Sequence, residues 1–174
     1  SYYEDACANT IAGGSSNDIC SCYDDADGNT IGGGISNDIY SCCYSINENT
    51  IAGGNNNYIG GEYAYFSYNT IGGGRDNDIY SCGSATVNTI SGGCENCMYG
   101  CCISDNTVAG GCCNYIEADY AYNNTISGGE NNCMCASSGL YNGVIAGGCD
   151  NSIRSSSRSY YDTIGGGCNN AISS

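Results

Sequence analysis

The chain has 174 residues, and its 18 acidic side chains against three Arg and no Lys give a formal charge of −15 at pH 7. Three cations cannot make a phosphate-binding surface, which excludes nucleic acid as a partner. With 28 Gly, 16 Cys, 17 Tyr, one Phe, and neither Pro nor His, the composition is poor in the residues that build helices and ordinary globular cores.

In chain order, the first element is the run Asn9-Thr10-Ile11-Ala12, followed by Gly13-Gly14 and then Asn17-Asp18-Ile19. It reads as short strand, corner, short strand, because β-branched residues favour strands and paired Gly permit positive φ or close backbone approach. The frame then returns eight times. Its leading apolar residue is Ile11, Ile31, Ile51, Ile71, Ile90, Val108, Ile126, Ile145 and Ile164, at spacings of 18 to 20 residues. Eight residues after each leader stands a second apolar residue: Ile19, Ile39, Ile59, Ile79, Met98, Ile116, Met134, Ile153 and Ile172. Five residues before it runs a third column of Ala6, Ala26, Ile46, Phe66, Ala85, Ile103, Ala121, Leu140 and Ser159.

The polar positions repeat as strictly. Gly-Gly follows two and three residues after every leader, and Asn stands six after it, as Asn17, Asn37, Asn57, Asn77, Asn96, Asn114, Asn132, Asn151 and Asn170. These Asn are expected to help form the corner in the left-handed conformation. Stacked at one strand spacing of about 4.8 Å, they can also bond side chain to side chain as an amide ladder. A period of this length signals a solenoid, since no single coil buries its own apolar face. The expected fold is all-β: one parallel β-solenoid domain spanning residues 1–174, with nine coils and uncapped ends. Joining Ser174 of one copy to Ser1 of the next would place Ile164 and the following Ile11 21 residues apart, close to the internal period. Head-to-tail stacking of the chain on itself is therefore expected; the alternative is a fragment whose capping segments lie elsewhere.

Sixteen Cys in a chain of this size indicate an oxidised, extracellular scaffold. Cys22 and Cys42 share a column in successive coils, as do Cys82 and Cys101, Cys94 and Cys112, and Cys149 and Cys168. Column neighbours about 4.8 Å apart fall within the Cα separation a disulfide needs, so these pairs are candidate staples between coils. Cys7, Cys20, Cys43, Cys97, Cys102 and Cys135 lack such a neighbour and are candidates for bonds between molecules, while Cys113 and Cys133 form a candidate diagonal pair.

Two ion readings arise from the same frame. Cys94-Glu95-Asn96-Cys97, with Cys101 and Cys102 close behind, has a spacing that holds zinc or an iron–sulfur cluster. The segments Gly13–Ile19, Gly33–Ile39 and Gly73–Ile79 resemble the calcium-binding β-roll repeat, which would make Asp18, Asp38 and Asp78 ligands. The third Gly of that repeat is missing and six coils lack the Asp, so neither metal nor cofactor enters the expected function.

With each leading Ile pointing inward, the Thr before it points outward, giving a ladder of Thr10, Thr30, Thr50, Thr70, Thr89, Thr107, Thr125 and Thr163 interrupted by Val144. A column of Ala, Gly and Ser runs beside it. This flat face resembles the ice-binding faces of solenoid antifreeze proteins, which usually carry two Thr columns. Glycans are a further candidate partner, through the Tyr-rich variable segments or by attachment at Ser and Thr or at the triplet Asn123-Asn124-Thr125. Catalysis is not expected: the chain lacks His and Lys, and the adjacent Asp24 and Asp25 read as solvated acids in a variable segment. No stretch is apolar enough to span a membrane as a helix.

The frame Thr30-Ile31-Gly32-Gly33-Gly34, with Asn37 two residues before the next apolar position, resembles the β-roll repeats in the heads of trimeric autotransporter adhesins. That resemblance covers all nine copies and implies display at a cell surface, although the period is longer and no coiled-coil stalk is present. In its Cys content and acidity the chain is similar to the disulfide-linked sheaths of filamentous methanogens. The expected function is a structural subunit of an extracellular filament or sheath, with a surface binding module for ice, glycan or adhesion as the alternative.

Overall fold

The computed structural model describes residues 8–22, 25–63 and 65–174. Ala6, Cys7 and Asp24 lie outside the described residues. Every regular element among those described is a β-strand, and every strand pairing is parallel. The chain is a parallel β-solenoid.

One sheet consists of nine two-residue strands, from Thr10–Ile11 to Thr163–Ile164, stacked in chain order. Thr lies over Thr and leader over leader at each step, with Val144 taking the Thr place once. The second, thirteen-stranded sheet carries the other two apolar columns. In it Ile19 pairs with Ile39, Ile59, Ile79, Met98, Ile116, Met134, Ile153 and Ile172 in succession. The third column runs from Ala26 through Ile46, Phe66, Ala85, Ile103, Ala121 and Leu140 to Ser159. All three columns meet in one core that is closed to water along the stack and opens at its first described coil, where Ile11 is 45% exposed.

A fourth inward column, ten residues after the leader, holds only small residues: Ser21, Ser41, Gly61, Ser81, Gly100, Ala118, Ala136 and Ser155. Gly61 belongs to the coil of Phe66, the largest buried side chain, and any added Cβ there would press on the Phe66 ring. Small and large residues thus compensate within one coil at constant cross-section.

The differing coil lengths arise between the fourth column and the third. Residues 42–45 fill this corner with four residues, 82–84 and 137–139 with three, and 101–102 and 119–120 with two. At two residues, and at three in Asp78–Thr86 and Cys133–Tyr141, the strands run through it unbroken, as they do in Cys97–Ser104 and Tyr115–Tyr122. Longer corners are tied back by the Ser of the fourth column: the Ser81 hydroxyl donates to the carbonyls of Ser84 and Cys101, at 3.1 and 2.8 Å. The remainder of each coil is constant, which keeps every ladder in register.

Two columns of buried Asn line the interior, where the sequence pointed to one ladder. In the column six after the leader, Asn96 Nδ2 donates to Asn77 Oδ1 at 3.1 Å, to Gly92 O at 2.9 Å and to Gly111 O at 3.0 Å. Its own Oδ1 accepts from the backbone and side-chain amides of Asn114 at 3.0 and 3.1 Å. The second column, two before the leader, repeats the device in Asn29, Asn49, Asn69, Asn88, Asn106 and Asn124: Asn69 Nδ2 reaches Asn49 Oδ1 at 2.9 Å and Ala85 O at 2.7 Å. Gly143 ends this run, its backbone N–H still donating to Asn124 Oδ1 at 2.8 Å. No buried side-chain nitrogen or oxygen among the described residues lacks a partner.

The expectation that the Asn at the sixth position is left-handed is corrected. The left-handed residue is the one before it, as Ser16, Ser36, Asn56, Asp76, Glu95, Cys113, Asn131, Asp150 and Asn169, with φ of 53 to 58°. That turn aims the following Asn inward, where its amide is needed for bonding. The second Gly of each pair serves the same geometry. Gly54 has φ of 97°, and a Cβ on it would collide with Gly74 O and lie 2.7 Å from Asn57 Nδ2; the amide occupies the space a side chain would take.

Removing one rung tests the ladder. Asn96→Ala leaves several buried groups unpaired and is expected to cost about 2–4 kcal/mol, whereas Asn55→Ala, at an exposed corner, is expected to stay within about 0.5 kcal/mol; chemical denaturation of both variants measures the difference.

Candidate functional site

Reactive side chains collect on the outside of the stack, on two edges and one face. The first edge is the column four after the leader. Ser15, Ile35, Asn55, Arg75, Cys94, Cys112, Glu130, Cys149 and Cys168 follow one another there in parallel bridges. This places Cys94 beside Cys112 and Cys149 beside Cys168, as their spacing predicts. Arg75 Nη2 donates to Cys94 Sγ at 3.0 Å and lies 3.7 Å from Glu95 Oε1. The thiols of Cys112 and Cys113 are 3.3 Å apart, and this contact, with burial, pushes the Cys113 thiol up to about 12. A hydrogen bond from Cys149 to Asp150 at 2.9 Å, with burial, raises the Cys149 thiol to about 11.

The second edge is the variable corner, which carries Cys22, Cys42, Cys43, Cys82, Cys101 and Cys102. Cys22 Sγ lies 3.7 Å from the Tyr40 hydroxyl, and the thiols of Cys22 and Cys42, together with burial, hold that phenol well above its usual range. Burial and then the neighbouring Cys22 raise Cys20, and burial and then Cys42 raise Cys43. Cys20 and Cys43, expected to face other molecules, thus join Cys22 and Cys42 in one cluster with Tyr40. A hydrogen bond with Cys82 is the main cause that lifts Cys101 to about 11. All eight column-paired thiols are free in this structure.

Between these edges lies the outer face of the larger sheet. Cys133 and Cys135 form a disulfide there, bridging positions i and i+2 of one strand. This corrects two expectations: Cys133 does not pair with Cys113, and Cys135 is not free for a second molecule. Period-two alternation, which sends both side chains to one side of the strand, was the available signal. Cys97 sits on the same face two strands away, pairing with Asp78 and Tyr115, and burial followed by the Asp78 and Glu117 charges pushes it up to about 12. Cys94, Cys97 and Cys101 therefore fall on three different parts of the coil. Among the described residues no group of three or more Cys, Asp or Glu is arranged to hold a metal ion.

The Asp column is similarly divided. Asp18 pairs with Asp38, but Tyr58 stands between Asp38 and Asp78. Burial and then the Asp18 charge raise the Asp38 carboxyl, and burial and then Asp76 raise that of Asp78. Tyr58 leans over Gly60, where an added Cβ would lie 2.7 Å from its hydroxyl. Tyr80 and Tyr99 stack at 5.2 Å in the column of Gly60. A second Tyr column, four before the leader and not singled out in the sequence, stacks Tyr122, Tyr141 and Tyr160.

On the opposite side, the Thr ladder stands partly exposed beside the fully exposed small-residue column of Ala12, Gly32, Ala52, Gly72, Ser91, Ala109, Ser127, Ala146 and Gly165. Asn123, the acceptor of the glycosylation triplet, is exposed, whereas Asn124 is buried in its ladder. No helix among the described residues is long and apolar enough to cross a membrane. No protein-family model matches this sequence, and no curated protein matches it.

The raised carboxyls set the sign of the pH response. The folded chain holds the Asp38 and Asp78 protons more tightly than the unfolded chain. Stability should therefore rise as pH falls through their folded-state values and level off below the unfolded value of about 3.9. Relief of the −15 charge acts in the same direction. Thermal unfolding from pH 7 to 4 is expected to show an increasing midpoint, with Asp78→Asn raising it at pH 7 and adding nothing at the acidic end.

Proposed function

We propose that this protein is a structural subunit of an extracellular filament or sheath, which self-assembles by stacking coil on coil and is locked by disulfides. Its work is mechanical rather than catalytic. The observation that carries this reading is the unbroken register. Coil after coil offers its neighbour the same columns of strand backbone, apolar side chains and the Asn six after the leader, so the last coil presents the pattern that is stacked inside the chain, apart from Asp162 in the second Asn column. A second copy adding a coil in this register would bury Ile11 and Ile19 as their counterparts inside the stack are buried. Such a contact is heterologous, and it extends as an open filament when its rotation does not close a ring.

The thiols support the second half of the proposal. Cys94 with Cys112, and Cys149 with Cys168, stand bridged on adjacent coils at one edge, where oxidation would staple successive coils. Cys82 and Cys168 are exposed, which suits them to bonds between rods. The cysteine content and the Cys133–Cys135 disulfide favour an oxidising, extracellular setting. A second reading, a binding module, is favoured by the exposed, in-register Thr and small-residue columns, a flat and regular face suited to a regular ligand such as ice or glycan.

Electron microscopy of the native protein with and without thiol reductant separates the two. Long fibres or sheets with a layer line near 4.8 Å along the axis, loosened by reductant, are expected. Discrete, monodisperse particles in both conditions would overturn stacking and leave the binding reading.

A further inference from the structure

Tyr122, Tyr141 and Tyr160 occupy one column on successive strands and pair in register. Their rings are nearly parallel, with centroids 5.8 Å apart at 11° between Tyr122 and Tyr141, and 4.8 Å apart at 10° between Tyr141 and Tyr160. Tyr160 is 51% exposed and Tyr141 lies half-buried behind it. A reagent at the surface can therefore reach the outer ring of the closer pair directly.

We propose that Tyr141 and Tyr160 are a site of oxidative cross-linking, at which a haem peroxidase acting with hydrogen peroxide joins the two rings as dityrosine. The enzyme removes one hydrogen atom from each phenol O–H, giving two phenoxyl radicals. A carbon–carbon bond forms between the ring positions ortho to the two oxygens. The hydrogen on each of those carbons leaves as a proton, and each phenolic oxygen regains one, restoring both aromatic rings. Hydrogen peroxide takes up the two electrons and two protons and leaves as two waters. The protein contributes proximity: the ladder fixes both rings side by side on one surface, so the encounter that limits coupling of separate phenols has already occurred.

The product would be a staple between adjacent coils that reductants do not open, unlike the thiol pairs on the edges. It rests on the register within one molecule and is independent of filament assembly.

The test uses the full chain, treated with peroxidase and hydrogen peroxide, then reduced and digested with trypsin. Cleavage after Arg75, Arg154 and Arg158 places Tyr141 in the fragment 76–154 and Tyr160 in the fragment 159–174. The expected product is this fragment pair joined through dityrosine, lighter than the sum of its parts by two hydrogens and showing dityrosine fluorescence. Tyr160→Phe, which keeps a stacking ring and removes the reactive hydroxyl, is expected to abolish the pair. Unfolding in urea before oxidation is expected to abolish it as well. Absence of the pair from the folded protein, equal yield from the unfolded chain, or persistence in Tyr160→Phe would overturn the assignment. In a mixture of isotope-labelled and unlabelled protein the joined fragments should carry the same label, and mixed pairs would refute a bond within one molecule.

Discussion

The buried amide ladder is the interaction on which the rest of the molecule depends. An Asn side chain carries two donors and an acceptor, and in a dry interior each must be satisfied. Here satisfaction comes only from the same residue one coil below, the same residue one coil above, and the carbonyls of the adjoining corners. An Asn in one coil therefore needs an N–H from the next at one strand spacing and with no slip, supplied by Asn along most of each column and by the Gly143 backbone where the second column ends. The apolar columns alone would tolerate irregularity, since Ile, Met, Val and Phe substitute for one another among them. The amides do not, and they hold thin coils in register where burial of large side chains cannot.

Strict register has a geometric consequence. Any change of coil length must be absorbed where neither ladder runs, which is the corner between the fourth and third inward columns. The coils differ there by up to two residues, and the Ser hydroxyls of the fourth column take up the backbone groups that longer corners release. Freed from packing, this corner and the Gly-Gly edge carry many of the reactive residues. The inward columns set the spacing, and the outward positions of the same coils display thiols and phenols at that spacing. Column neighbours are brought side by side because the fold repeats.

The fold was largely legible in the sequence. The leaders, the second apolar column and the third pair as their spacing indicates, and the Cys94–Cys112 and Cys149–Cys168 adjacencies follow from position alone. What escaped has physical reasons. The Asn before every Thr of the ladder but Thr163 was visible in the frame, but its burial depends on the left-handed residue preceding it, a place held by residues as different as Glu48, Tyr68 and Val87. Such a position is set by the coil's closure and has no signature of its own. The fourth column was hidden because Ser, Gly and Ala read as surface or turn residues until the large side chain of the same coil is set against them. The cluster of Cys20, Cys22, Tyr40, Cys42 and Cys43 crosses three columns and two coils, and counting along single columns does not find it.

The claim that buried Asn side chains set the register is tested most directly by hydrogen exchange of their side-chain amides, followed residue by residue by NMR. The account predicts that the Nδ2 protons of the interior rungs, such as Asn69, Asn96 and Asn114, exchange as slowly as the backbone amides of the adjoining strands, while those of the exposed Asn55 exchange within the dead time. Equal, rapid exchange at interior and exposed Asn would contradict it, because an open side chain cannot be the rung that holds one coil to the next.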